Sequence, residues 1–251
     1  MTGTGPINSA PTIPTCPNRE DRRLLTGLVV WEYPGSPQQG SDLLALLAAI
    51  RIHLPEDRYL LTAALPAAKG VLENIDLRRC AEYLDSVNLM AYDFFGSWTP
   101  KSGHHAQLYA MNKEEASGAS GVQHLMASGV PSKKILLGIP LFGRSFLNVN
   151  GPGHKFRGAG GDDGSFEYSQ LPRRGTKEQV DKRSVAAQCV GGDGGFVTYD
   201  NPDTVKIKAT FCKQKALGVR QSPSSHLPLV TMPADTPFPS PSRLPPPLLP
   251  P

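Results

Sequence analysis

The sequence predicts an α/β fold: a partial (β/α) barrel with an inserted α+β subdomain and a disordered, proline-rich C-terminal tail. Three observations carry this. Short apolar, β-branched runs recur between residues 24 and 140, and each is followed by a stretch whose apolar residues fall at helical spacing. Glycine becomes dense between residues 147 and 200, where the strand–helix rhythm stops. From Arg220 to Pro251 the chain has 11 prolines in 32 residues and no glycine, with neither period. Such a segment buries too little apolar surface to offset its ordering entropy.

Taken in order, residues 1–23 are polar and rich in Pro, Thr and Ser. They are expected to be disordered or divergent, and without a basic region leading into an apolar one they do not read as a signal peptide. The first strand is Leu24–Val30, leading into Trp31-Glu32-Tyr33-Pro34. Asp42 is placed to cap a helix through His53, with Leu43, Leu46, Leu47, Ile50 and Leu54 on its apolar face and Pro55 closing it. Tyr59–Ala64 is the second strand, and Asn74 opens a helix to about Leu84. Ser86–Tyr92 is the third strand, Ala119–Ser128 a helix and Lys134–Pro140 the fourth strand. Nearly continuous apolar strands separated by helices indicate a parallel sheet covered on both faces. The barrel segment is thus 24–146. Within the subdomain, 147–200, short antiparallel strands are expected near Ser165–Tyr168 and Phe196–Tyr199. Residues 201–219 return to the barrel as a helix that Asn201-Pro202 starts, and 220–251 is the tail. At roughly 30 residues per βα unit, this amounts to four units, half of a closed barrel.

Composition excludes several functions. With 39% hydrophobic and 19% charged residues the chain is globular in character, and a net charge of +4 spread along it does not suggest nucleic-acid binding. No window approaches ~18 uninterrupted apolar residues, so no membrane span is expected. Cys16, Cys80, Cys189 and Cys212 are far apart and lack CxxC spacing, which fits free core thiols or one long-range disulfide better than a metal site. Adjacent His104 and His105 point apart, with no acidic partner expected nearby, and the glycines at 191–195 lack phosphate-loop order. Neither metal nor cofactor is expected, and the chain is expected to be a monomer.

The chemistry is expected at strand ends. A strand that delivers one carboxylate, Glu32, to its C-terminal end matches the way α/β barrels build active sites. Three further segments follow: Met90-Ala91-Tyr92-Asp93 at the third strand's end, Gly138-Ile139-Pro140-Leu141-Phe142-Gly143-Arg144 after the fourth, and Gly192–Asp200. Together with Trp31–Pro34, and in this order, they resemble the motifs of family 18 glycoside hydrolases, the chitinases. With Asp162–Tyr168 the last resembles the insertion subdomain of the fungal-type enzymes. The resemblance runs from about Val30 to Leu217 and implies roughly the second half of a TIM (β/α)8 barrel.

It further implies hydrolysis of β-1,4 linkages between N-acetylglucosamine units, in which the substrate's own N-acetyl oxygen is the nucleophile. Glu32 matches the proton donor, and Tyr92 and Asp93 match the residues that hold the reacting N-acetyl group. Trp31, Tyr33, Met90, Trp98, Phe142 and Arg144 complete the expected substrate-binding set, with Trp98 as an aromatic platform and Phe142 where Tyr is usual. Structural alternatives stand beside these roles: Trp31, Tyr33 and Met90 as core residues, Glu32 as a solvated loop acid, Tyr92 as a buried tyrosine, Trp98 as loop packing, Arg144 in a salt bridge. Chitin or its oligomers are the implied partners.

The chain departs from the family pattern Asp-x-x-Asp-x-Asp-x-Glu. The aspartate positions are occupied by Leu25, Leu28 and Val30. The position two before the acid supports the oxazolinium ion and relays its proton, and valine does neither, so catalysis is expected to be impaired. Preceding strands are replaced by residues 1–23, and no tryptophan follows Lys215–Val219, where the family places the floor of the sugar site. Two further readings follow: a non-catalytic chitin-binding homologue, and a non-functional fragment of an incomplete gene model, divergent at both ends.

Overall fold

A computed structural model describes residues 25–192, 194–218 and 229–232. Its first layer is a parallel sheet built from β1 (Leu25–Trp31), β2 (Tyr59–Pro66), β3 (Ser86–Met90) and β4 (Ile135–Leu137), with β10 (Leu229–Met232) beside β1. The strand order is β10-β1-β2-β3-β4, so the described strands form an open five-stranded parallel sheet. Crossovers run through α1 (Pro37–His53), α2 (Lys69–Leu72), α3 (Leu77–Tyr83) and α4 (Gly118–Ala127).

Strand alternation decides what each face does. Val29 and Trp31 of β1, Leu61, Ala63 and Leu65 of β2, Val87 and Leu89 of β3 and Ile135 of β4 are buried in one cluster. Helices supply the opposing side through Leu43 and Leu47, Leu77 and Cys80, and Val122 and Leu125. The opposite face carries a register row of Val30, Ala64, Asn88 and Leu136. At the N-terminal end of the strands Arg51 clamps the sheet to α1. It pairs with Asp85 at 2.8 Å and donates to the Tyr83 carbonyl, while Asp85 also accepts from the Leu61 amide at 2.8 Å.

The second layer is an antiparallel sheet, ordered β6-β5-β9-β8-β7, of β5 (Phe142–Phe146), β6 (Ser165–Glu167), β7 (Gln179–Asp181), β8 (Ala186–Val190) and β9 (Phe196–Tyr199). The chain returns through α5 (Pro202–Gln214), capped by Asn201 with Pro202 in its first turn, as the sequence predicts.

Several boundaries differ from expectation. Ser36, not Asp42, caps α1, accepting from the Gln39 amide with Pro37 in the first turn. Those first residues carry no apolar stripe and so escape a periodicity argument. Asn74 caps no helix; its side chain donates to the Pro34 carbonyl, and Asp76 caps α3. Phe142–Phe146, placed with the barrel by sequence, pairs instead with β6 and β9. Strands β7 and β8 were not expected: β7 is three residues with polar Gln179 and Asp181 at its ends, and β8 carries small residues and Gln188 that give no strand signal. Within the tail expected to be disordered, Leu229–Met232 is a strand; this apolar, β-branched tetrapeptide lies parallel to β1 and covers its edge. Residues 1–24 and the rest of the tail lie outside the described residues. Cys80, Cys189 and Cys212 are free thiols.

Candidate active site

Glu32 follows β1 directly. Trp31 is 7% exposed and turned to the helices, so period-two alternation sends Glu32 to the other face, the one that carries Val30. Trp31 is therefore a core residue, and its expected place among the substrate-binding residues is corrected. Tyr33 is 40% exposed, and its phenol lies in the field of the Glu32 carboxylate. Burial pushes the Tyr33 phenol up to about 12, with further pressure from the negative charges of Glu32 and Asp93. Burial raises Tyr92 in the same way, again followed by Asp93 and Glu32. Two strand ends thus share one electrostatic neighbourhood, and both phenols keep their protons as hydrogen-bond donors.

Tyr92 and Asp93 lie just past β3. The Tyr92 ring packs on Gly138, where an added Cβ would come within 3.1 Å of it, and meets Phe142 edge-on at 6.0 Å between centroids. Asp93 adopts a left-handed backbone conformation, φ 60°, which a short polar side chain tolerates. Arg144 on β5 grips its carboxylate with both arms of the guanidinium, Nε to Oδ1 at 2.8 Å and Nη2 to Oδ2 at 3.0 Å. Burial alone would raise the Asp93 carboxyl, but His105 and Arg144 outweigh it and hold the group down at about 2.

Arg144 ties the site together. Its guanidinium carbon lies 4.9 Å from the Trp98 ring centroid and 5.1 Å from that of Phe142, and Nη1 reaches the Asp163 carbonyl. Trp98 is 58% exposed, its indole resting on the Cα of Gly96, where a Cβ would sit 2.3 Å from the ring. Met90 shares the open face with Asn88 and is half-buried. The expected residues therefore gather as Glu32 and Tyr33 beside Tyr92 and Asp93, then Phe142, Arg144 and Trp98.

The histidine pair departs from the sequence reading. Both rings are buried, and each has an acidic neighbour: His104 Nε2 lies 3.3 Å from Asp181 Oδ2, and His105 Nδ1 lies 3.5 Å from Asp93 Oδ1. His104 also meets the Thr198 hydroxyl at 2.9 Å, which joins the loop between β3 and α4 to β9. Burial drives His104 down to about 4 despite Asp181. His105 and Asp163 are the neighbours of the site that sequence reasoning missed.

Comparison with known proteins gives a concordant result. The family model described as "Glycosyl hydrolases family 18" matches residues 28–219. Endochitinase 1 of Metarhizium robertsii is 36% identical over 210 residues, covering 76% of this chain and 49% of that protein. Chitinase 1 of Aphanocladium album is 32% identical over 206 residues, 75% of this chain and 48% of that protein. Among solved structures, the class V chitinase from Nicotiana tobaccum superposes with a TM-score of 0.69 at 29% identity, covering 76% of this chain and 60% of that one. A family 18 chitinase from Cycas revoluta in complex with (GlcNAc)3 gives 0.64 at 32% identity, with the same coverage. The chain spans about half the length of the curated relatives it matches.

Proposed function

Because this chain belongs to glycosyl hydrolase family 18, we propose that its cleft binds chitin oligomers and acts on their β-1,4 linkages by substrate-assisted, retaining catalysis. The observation that carries this reading is the joining of Glu32 to Tyr33, Tyr92 and Asp93 in one neighbourhood, with Asp93 held by Arg144 and Arg144 stacked on Trp98. Glu32 protonates the departing glycosidic oxygen while the substrate's N-acetyl oxygen attacks the anomeric carbon. Tyr92 donates to that N-acetyl group, and Asp93, an anion, accepts from its N–H and offsets the positive charge of the oxazolinium. Donors and charges fixed in advance of the reaction are each worth ~3 kcal/mol in such sites. Water then opens the oxazolinium, with Glu32 as the base. Trp98 offers its exposed face to a sugar ring.

Val30 supports a second reading. It shares the open face with Glu32 two residues upstream, where the family pattern has an aspartate, and it offers no charge and no proton relay. The cleft then keeps its sugar-binding groups while turnover is impaired, which describes a chitin-binding homologue. Two measurements separate the readings: calorimetric titration with N-acetylglucosamine tetramer, and release from a chromogenic chitobioside by the parent and by Glu32→Gln. Turnover that falls roughly 10²–10⁴-fold in the variant assigns the acid. Binding with no turnover in either favours the binder, and no binding by the parent rejects the cleft.

A further inference from the structure

His105 has no exposed surface, and the loop that carries it folds back on Asp93's neighbour: the Phe94 amide donates to the His105 carbonyl at 3.0 Å. The ring packs against Phe142, centroids 5.2 Å apart, with Nδ1 aimed at Asp93 Oδ1 from 3.5 Å. That contact is longer than a tight hydrogen bond. Yet among the described residues neither ring nitrogen has another partner, so a neutral imidazole gains most by carrying its proton on Nδ1, toward the carboxylate. Burial keeps the ring neutral, with Lys208 acting in the same direction and Asp93 and Asp200 against it.

We propose that His105 is a positioning residue for Asp93: neutral and protonated on Nδ1, it backs the carboxylate from inside the protein while Arg144 grips it from β5. Arg144 alone leaves the carboxylate free to rock about the axis of the guanidinium fork. A second donor, rigid by burial and set off that axis, fixes the plane in which Asp93 meets a ligand. The groups facing Asp93 are Arg144 from β5, His105 from its own loop and the two phenols of Tyr33 and Tyr92. Those facing His105 are Asp93, Asp200, Lys208 of α5 and the adjacent His104. The inference rests on the reading of Asp93 as the residue that holds the N-acetyl group, and its test is independent of any sugar.

The test is a carboxyl 13C NMR titration of Asp93 in the intact, unliganded chain, its signal assigned by loss in Asp93→Asn. The parent is compared with His105→Asn, His105→Gln and His105→Leu. An asparagine amide nitrogen falls near the position of Nδ1, whereas that of glutamine falls near Nε2, so only asparagine keeps the donor on Asp93. In the parent and His105→Asn, Asp93 stays ionised below pH 3. In the other two its midpoint rises by about one unit, a tenfold change in proton affinity. Should leucine prevent folding, the asparagine–glutamine pair decides alone. A packing role lowers thermal stability and leaves the Asp93 titration in place. Identical titrations in all variants, or an asparagine variant that behaves like glutamine, overturn the proposal. Addition of N-acetylglucosamine tetramer to the parent is a separate arm: unmoved Trp98 and Asp93 signals count against the functional reading alone.

Discussion

Trp98 and Arg144 show what a single residue contributes. The chain has two tryptophans, and Trp31 is sealed in the core, so a fluorescence change on sugar binding reports Trp98. Trp98→Ala removes the exposed ring and uncovers Arg144. An aromatic contact of this kind is worth ~1.4 kcal/mol, so oligomer affinity should fall about tenfold with the fold unchanged. Calorimetry against N-acetylglucosamine tetramer checks this, and unchanged affinity would remove Trp98 from the cleft. The grouping of Glu32, Tyr92, Asp93 and Arg144 was legible in the sequence because each belongs to a recognisable motif, the first three just past a strand end and Arg144 within β5. Trp31 was misplaced although alternation already set it opposite Glu32. His105 was not legible: its contact with Asp93 depends on a loop closing on itself, which no local spacing encodes.

Elements add constraints that motifs do not carry. Gly40 lies inside α1, where alanine would ordinarily favour the helix by ~1 kcal/mol. Here a Cβ would stand 1.8 Å from the Asn74 carbonyl oxygen, so the helix and the loop after α2 approach backbone to backbone. Gly40→Ala should therefore destabilise the protein by roughly 1–3 kcal/mol, measured by urea unfolding; a stabilised variant would contradict the packing described. The loop after β3 and the antiparallel sheet meet through His104, wedged between Thr198 of β9 and Asp181 of β7. Its folded-state pKa is depressed from 6.5 to about 4, so it folds neutral. Its contribution is complete above pH 6.5 and is lost as pH falls toward 4, because there the unfolded chain binds a proton that the folded one refuses. At ~1.4 kcal/mol per unit this amounts to about 3 kcal/mol. Unfolding curves between pH 7 and 4 should be steeper for the parent than for His104→Gln, and parallel curves would dismiss the linkage. His105, depressed by burial as well, adds to the slope in both proteins. Element types were readable from periodicity, whereas their ends were not: α1 begins on polar residues, and β5 changes sheet within an apolar run that looks continuous with β4.

At the scale of the whole molecule, the question is whether one acid at the end of β1 is enough for turnover. Among the described residues the parallel sheet is open, with β10 at one edge and β4 at the other, and the row at its open face runs Val30, Ala64, Asn88, Leu136. No carboxylate in that row can accept the proton or charge that develops beside Glu32. Removing one electrostatic partner of this kind costs on the order of 10²–10³ in rate. A substituted sheet position changes that partner alone and leaves the edges of the described sheet as open as before. Val30→Asp should accordingly raise chitobioside turnover less than tenfold in this chain, and by 10²–10³ in a version extended with the flanking strands of a full-length relative. The comparison of four proteins, each variant in each length, separates the local charge from the enclosure of the cleft. A parent chain whose turnover lies within tenfold of the extended Val30→Asp version would show that neither matters, and the reading of impaired catalysis would be abandoned.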